Sequence, residues 1–266
     1  MNKPPFDRLK VLFEHGGECS EQCIGVIVTL YNYEDFIIQC LASIAFQDHP
    51  ELELIVVDDS STDDSVAAVT RWLQTSKERF RRVLFVSHLH NRGLAMARNT
   101  GLASAVSRCV FIMDADNALY PSALSTLHRV LSSTNASAAY CQLEHFGEET
   151  GMGKADVLKK EFLTQGNYID AMALFDKATL SSIGGYRHMS GWEDYDVWCR
   201  FIELDLHAVF VPKVLCRYRV HGSSMMRKEN ESDLQGLITR MLLSHPWLNV
   251  DEHLRSRLRQ AARRPT

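Results

Sequence analysis

Two aspartates one residue apart, Asp114 and Asp116, follow directly on the apolar run CVFIM. In extended backbone, residues two apart face the same way, so both carboxylates project to one side. Two uncompensated carboxylates this close repel, and one is driven to protonate unless a cation stands near. Hard divalent cations such as Mg²⁺ and Mn²⁺ take oxygen ligands, and Mg²⁺ commonly combines one or two carboxylates with water and phosphate oxygens. The pair, with Asn117 behind it, is therefore read as a metal–diphosphate site. The competing reading is a solvated turn that caps the helix starting near YPSAL.

Other chemistry-bearing residues follow further apolar runs. Asp58 and Asp59 end LELIVVDD and lead into Ser60, Ser61, Thr62 and Asp63. Thr62 or Asp63 suffices to cap the next helix, which leaves Asp59 for a ligand, such as an N–H of a pyrimidine base. Thr29, Tyr31 and Asn32 close the first apolar run, where an aromatic can face a base or simply pack. Arg92 and Arg98 flank a helix start in HNRGLAMARN, and helix N-termini attract anions. Each can reach phosphate or pair with a local acid.

Downstream, Gly191-Trp192-Glu193-Asp194 opens a helix. Acids in a first turn are favoured by the helix dipole alone, yet tryptophan beside a carboxylate also suits a sugar platform next to a general base. Asp196 and Arg200 stand four apart and can pair. His221, in RYRVHGSS, is either an ordinary structural histidine or, beside a carboxylate-bound metal, a further ligand.

These residues need elements to hold them. Apolar runs at 23–30, 52–58, 82–87 and 109–114 alternate with helical periodicity at 34–47, 64–74, 93–106 and 120–132. Alternation of this kind predicts βαβ units around a parallel sheet, and near-continuous apolar strands are those covered on both faces. Ligands in such sheets bind beyond the carboxyl ends of the strands, where the acids of the first half lie. The second half is less regular. It reads as a strand at 137–146, a glycine-rich loop GEETGMGKAD, and a strand, short helix and glycine stop at 167–187. A helix at 192–204 follows, then a strand pair at 207–220 and helices beyond 228. The first 22 residues read as a polar, irregular leader.

Composition narrows the function classes. The chain has 266 residues, 45% hydrophobic and 23% charged, with a formal net charge of −4. That balance supplies no global field for nucleic acid. Seven cysteines include no C-x-x-C pair, which leaves a zinc ribbon or thioredoxin-type site unsupported and fits reduced thiols in a reducing compartment. No signal-peptide core precedes the first strand and no run approaches 18 apolar residues, so a cytoplasmic protein is expected. Arg255, Arg257, Arg259, Arg263 and Arg264 crowd the last residues. They suit peripheral contact with anionic lipid at the inner face of a membrane, or a plain solvated end.

Taken in order, TLYNYEDFIIQCLASIAFQ, LELIVVDDSSTDDS, NRGLAMARNTGLASA, FIMDADN, GGYR, GWEDYDVWCR and YRVHGSS resemble the family 2 glycosyltransferases of the GT-A fold, from about residue 24 to about 225. The resemblance implies an α/β fold of GT-A type, with a mostly parallel central sheet flanked by helices. It implies one catalytic domain at 23–227, with a nucleotide-sugar-binding half at 23–118 and an acceptor half at 119–227, and a helical C-terminal extension at 228–266. It further implies inverting transfer of a sugar from a nucleotide-diphosphate sugar, a UDP-sugar being expected, to a hydroxyl of a glycan or lipid-linked sugar, with Mn²⁺ or Mg²⁺ as cofactor. Position by position, Asp59 would read the base beside Thr29, Tyr31 and Asn32, and Arg92 joins the donor-binding set. Asp114 would lie near the ribose and the metal's water shell, Asp116 would bind the metal, and His221 would join the metal or the diphosphate. Gly184 and Gly185 would let backbone approach the sugar. Asp194 would be the general base, with Trp192 and Glu193 on the acceptor side. Ser60 stands where the family commonly has glycine, and Asn117 replaces a frequent extra acid.

The implied chemistry is consistent. A cation neutralises the departing diphosphate, the anomeric carbon becomes oxocarbenium-like, and Asp194, ionised at its ordinary pKa of about 3.9, takes the acceptor proton. A single displacement inverts the centre. The alternatives are a non-catalytic nucleotide- or sugar-binding module and a nucleotidyltransferase. The latter would show a glycine-rich basic loop where TLYNYED stands. A dehydrogenase lacks its G-x-G-x-x-G.

Overall fold

The computed structural model describes residues 9–222 and 231–248. Four of the predicted strands form as β2 (Ile24–Leu30), β3 (Leu52–Asp58), β4 (Arg82–His88) and β5 (Cys109–Asp114). They alternate with α1 (Ile37–Ala45), α2 (Ser65–Ser76), α3 (Leu94–Ser104) and α4 (Ala123–Ser133). Every residue of β2 and β3 is buried, because helices cover both faces. The ladders β4–β3–β2–β5 are parallel and in register, so that Leu30 pairs with Asp58, Asp58 with Ser87, and Thr29 with Asp114. After β4 the chain returns to the other side of β2. The resulting switch between β2 and β5 is where an open sheet of this type binds ligands.

The second half completes the sheet. β7 (Ala138–Gly147), β9 (Ala173–Asp176) and β10 (Ala208–Val220) extend it beyond β5, and β6 (Ala118–Leu119) and β8 (Gly151–Met152) are short additions. The helices here are α5 (Lys160–Leu163), α6 (Lys177–Ser182), α7 (Glu193–Glu203) and α8 (Glu231–Ser244). The core lies in two layers, as the two-residue period of strands requires. Val26, Val28 and Leu30 face α1, α2 and α4 through Ile37, Leu41, Leu73 and Leu124. Ile27, Ile55 and Val57 face α3, α7 and α8 through Ala95, Trp198, Phe201 and Met241. Gly101 lets α3 lie flat on β2, since a Cβ there would stand 2.2 Å from Ile27 Cγ2.

Three local expectations change. The strand pair at 207–220 is one strand, β10. Pro212 cannot donate to a ladder, and the pairing with β7 absorbs it as register irregularities between Val211 and Val214 and between Val214 and Cys216. The leader contains β1 (Leu9–Gly16), an edge strand antiparallel to β4. Its alternation of half-covered and exposed residues leaves little apolar signal. The loop GEETGMGKAD holds β8, paired with β7 at Glu144 and His145.

Residues 237–248 are built onto α7. Leu237, Ile238, Met241 and Leu248 join the layer of Trp198 and Phe201. His245 donates to Asp196 at 3.0 Å and to Glu203 at 2.7 Å. No described helix is long and apolar enough to cross a membrane. The arginine cluster at 255–264 and the two serines after Gly222 lie outside the described residues.

Candidate functional site

At the carboxyl end of β5, Thr29 Oγ1 donates to Asp114 Oδ1 at 2.9 Å. Arg98, carried by α3 and 3% exposed, places Nη2 at 3.0 Å from both Asp114 oxygens. Burial works against the Arg98 charge, but Asp114, with Tyr186, Asp194 and Glu193 beyond it, holds the guanidinium above its ordinary pKa. Arg98 thus takes the acid-pairing role rather than presenting itself to phosphate. Asp114 is correspondingly held by protein groups, where the resemblance placed it toward ribose and the metal's water shell.

Asp116 occupies the turn after β5. The β10–β6 pairing, Arg217 opposite Ala118, carries the end of β10 to that turn. There His221 Nε2 stands 3.0 Å from Asp116 Oδ2, both residues buried. Burial and then the Asp114 charge raise the Asp116 carboxyl above its usual range, and His221 pulls it back. Arg219 fixes the turn from behind, with Nε donating to the Asp116 carbonyl at 2.8 Å and its backbone N–H to Asn117 Oδ1 at 2.9 Å. Nδ2 of Asn117 is buried without a partner. Phe36 packs on the His221 ring at 4.7 Å. Among the described residues no three His, Cys, Asp or Glu side chains converge as a metal-holding group. One carboxylate and one imidazole suit a hard cation that completes its shell from diphosphate and water oxygens.

Asp59 is engaged within the protein. It is 3% exposed, and its carboxylate meets His88 Nδ1 at 2.6 Å while accepting the backbone N–H groups of Arg92 at 2.8 Å and Gly93 at 2.7 Å. His88 is itself held by Thr100 at 2.9 Å. The carboxylate therefore shapes the β4–α3 loop. Asn32, in left-handed backbone at φ 55, likewise serves loop structure, accepting the Thr62 N–H at 2.7 Å while its own N–H donates to Ser61 Oγ. Ser60 adopts φ 67, the conformation that favours the glycine expected there. Tyr31 is 44% exposed, and the Arg92 side chain has no hydrogen-bonded partner among the described residues. These two remain able to meet a nucleotide at the rim.

Asp194 lies in the first turn of α7. Its Oδ2 accepts from Asn167 Nδ2 at 2.9 Å and its Oδ1 from the Tyr195 N–H at 2.8 Å. Burial pushes its carboxyl up to about 6, against the pull of Arg98. Its acceptor-side neighbours are corrected. Trp192 is 8% exposed and packs edge-on against Tyr195, and Glu193 is buried, accepting the Gly191 N–H at 2.8 Å. The start of α7 closes over an apolar cluster and takes both inward.

Gly185 is also a packing residue. At φ +63 its missing Cβ would stand 2.4 Å from Asn99 Oδ1, and Asn99 clamps Tyr186 through that residue's N–H and carbonyl. Gly184, at φ +94, faces open space. Asp196 and Arg200 form the pair their spacing allows, Nε to Oδ2 at 2.9 Å.

One acid escaped the sequence reading. Asp170 precedes β9, and burial followed by the Asp194 charge pushes its carboxyl up to about 7. Its signal was an Asp inside NYIDAMALF with no repeat or spacing partner.

Comparison with known proteins agrees with this architecture. Residues 25–183, more than half of the chain, match the family model "Glycosyl transferase family 2". The glycosyltransferase GlyA of Streptococcus pneumoniae is 25% identical over 257 residues, covering 87% of this chain and 36% of that protein. This chain thus spans about a third of that relative's length. Among solved structures, the mannosyltransferase PcManGT of Pyrobaculum calidifontis, in complex with GDP-Man and Mn²⁺, superposes at TM-score 0.68 with 23% identity, over 90% of this chain and 71% of the other. TarS 1-349 of S. aureus in complex with UDP-GlcNAc gives TM-score 0.68 with 18% identity, over 90% and 70%.

Proposed function

The chain belongs to glycosyl transferase family 2 and carries a GT-A-type sheet, and on that premise we propose that it transfers a sugar from a nucleotide-diphosphate sugar to an acceptor hydroxyl. The observation that carries this reading is the convergence at one sheet end of a diphosphate-side group and a base. Arg98 and Asp114 form one corner, Asp116 and His221 a second, and Asp194 lies within electrostatic reach of Arg98.

Asp116 and His221 are the residues that would hold Mn²⁺ or Mg²⁺. When bound, the cation supplies Lewis-acid neutralisation of the leaving diphosphate. Asp194 accepts the acceptor's hydroxyl proton as the new oxygen–carbon bond forms and the bond to the diphosphate oxygen breaks. A carboxyl near 6 is ionised at neutral pH yet basic enough for that transfer. Asn167 fixes its orientation. One displacement gives inversion.

Asp59 is engaged with its own loop and solved relatives bind GDP-Man and UDP-GlcNAc, so UDP and GDP sugars are both candidate donors. The acceptor class, a glycan or lipid-linked sugar, rests on the resemblance. The free thiols support a reducing compartment. A thermal-shift panel of UDP and GDP with and without Mn²⁺, followed by a screen of the matching nucleotide sugars, tests the reading. Ligand at 100 times its Kd adds about 2.7 kcal/mol. A Mn²⁺-dependent shift with one diphosphate supports it. No shift with either defeats it.

A further inference from the structure

Asp170 has no part in the mechanism above, yet it stands among its groups. β9 runs antiparallel to β5, with Val110 opposite Phe175 and Phe111 opposite Leu174. The approach to β9 therefore lies along the carboxyl end of β5, beside Asp114. Asp170 Oδ1 accepts the Met172 N–H at 2.8 Å, and Oδ2 has no donor among the described residues. Asp194, Asp114 and Arg98 act on its charge, and its own charge is felt by Tyr218 and Cys216 of β10.

A second feature shares the neighbours Arg98, Asp114 and Asp194. The hydroxyl of Tyr186 is buried without a partner, and so is Nε of Arg98. Both residues are 3% exposed, and the Arg98 guanidinium lies 5.1 Å from the Tyr186 ring centre. A buried hydroxyl without a partner is costly, and Asp194 and Asp114 act on this one electrostatically. In the proposed transfer, the moving sugar lies between the leaving diphosphate, on the Asp116–His221 side, and the attacking hydroxyl, on the Asp194 side. Asp170 lies within electrostatic reach of Asp114 and Asp194. Sugar hydroxyls are donors, and a carboxylate oxygen with spare acceptor capacity is their natural counterpart.

We propose that Asp170 accepts hydrogen bonds from ring hydroxyls of the transferred sugar and, with the Tyr186 hydroxyl, selects which sugar the site takes. The proposal rests on the nucleotide-sugar reading of the site. Crowding of Asp170 by Asp194 gives a bound hydroxyl donor one further role, shielding the two charges from each other.

Titration calorimetry with Mn²⁺ tests this on wild type, Asp170→Asn and Tyr186→Phe. The ligands are UDP, GDP and a panel of UDP- and GDP-sugars. Both variants should bind the nucleoside diphosphate within about twofold of wild type. Asp170→Asn should weaken the preferred nucleotide sugar by about tenfold, as loss of a charged hydrogen bond predicts. Tyr186→Phe removes no hydrogen bond within the protein, so it provides a folding-safe arm and should weaken the sugar nucleotide selectively by a smaller factor. Asp170→Glu, which moves the carboxylate by one methylene, should reorder the sugar preference. Equal losses for diphosphate and nucleotide sugar, or no loss for either, would overturn the proposal. Failure of wild type to bind any nucleoside diphosphate would overturn the parent reading instead.

Discussion

Nη2 of Arg98 sits equidistant from the two oxygens of Asp114, at 3.0 Å each. The two side chains come from two different neighbours of β2, Arg98 from the helix packed on its face and Asp114 from the parallel strand at its edge. Their contact joins the helix layer to the sheet at the carboxyl end of β5. Arg98 also underlies Tyr186, so one guanidinium aligns β5, α3 and the GGYR turn.

Removing it should cost stability as well as activity. Arg98→Met leaves Asp114 without its ion partner, and breaking a buried pair costs about 3 kcal/mol. Arg98→Lys should recover less than half of that, since an ammonium cannot lie flat on Tyr186. Urea unfolding of the two variants checks the figure, and wild-type stability in Arg98→Met would refute the pairing.

Turnover should follow the ionisation of Asp194. Its carboxyl is pushed up to about 6 by burial. Below that pH it carries a proton and cannot accept another, so kcat should fall toward pH 5 and level off above pH 7. Asp194→Asn should bind donor normally and lose about 10²–10⁴-fold in kcat. Initial rates from pH 5 to 8 read both effects, and a flat profile would exclude Asp194 as base.

Chelation should act through Asp116 and His221. Asp116→Asn and His221→Ala should each abolish the Mn²⁺-dependent part of the nucleotide-induced rise in Tm. The metal-independent part should survive. An unchanged shift in EDTA would remove the cation from these residues.

Asp59→Ala should unfold a loop rather than change a preference. It strips the acceptor from His88 Nδ1 and from two backbone N–H groups, and stranded buried donors cost roughly 1–3 kcal/mol each. The expected result is a drop of about 3 kcal/mol in stability with the UDP-to-GDP affinity ratio unchanged. A changed ratio at unchanged Tm would restore the base-reading role.

The parallel strands and their helices were legible because covered strands must be continuous apolar runs and their helices must be amphipathic. Val26, Val28, Ile37 and Leu41 show both patterns. Asp116 and His221, 105 residues apart, could be proposed as neighbours from the motif order, and the β10–β6 pairing brings them together. What stayed hidden depended on side-chain direction. Trp192 and Glu193 have the composition of a sugar platform, but the start of α7 turns both inward. Asp59 has the placement of a ligand carboxylate, yet three donors from the β4–α3 loop reach it first. Asp170 offered no pattern, since its importance comes from the antiparallel return of β9 past β5. β1 was obscured because an edge strand needs only half of its residues covered.

The joint between α7 and residues 237–248 has a practical meaning for anyone exchanging parts among such proteins. Asp194 opens α7, and two residues on, Asp196 is fully enclosed, sharing its oxygens among Arg200, Arg187 and His245. His245 in turn bridges to Glu203 at the far end of the same helix, and Trp247 Nε1 reaches that carboxylate at 2.6 Å. A hybrid cut at the end of β10, where sequence motifs stop, would keep Asp194 but discard the strut that holds its helix at both ends. The transplantable unit runs through Leu248.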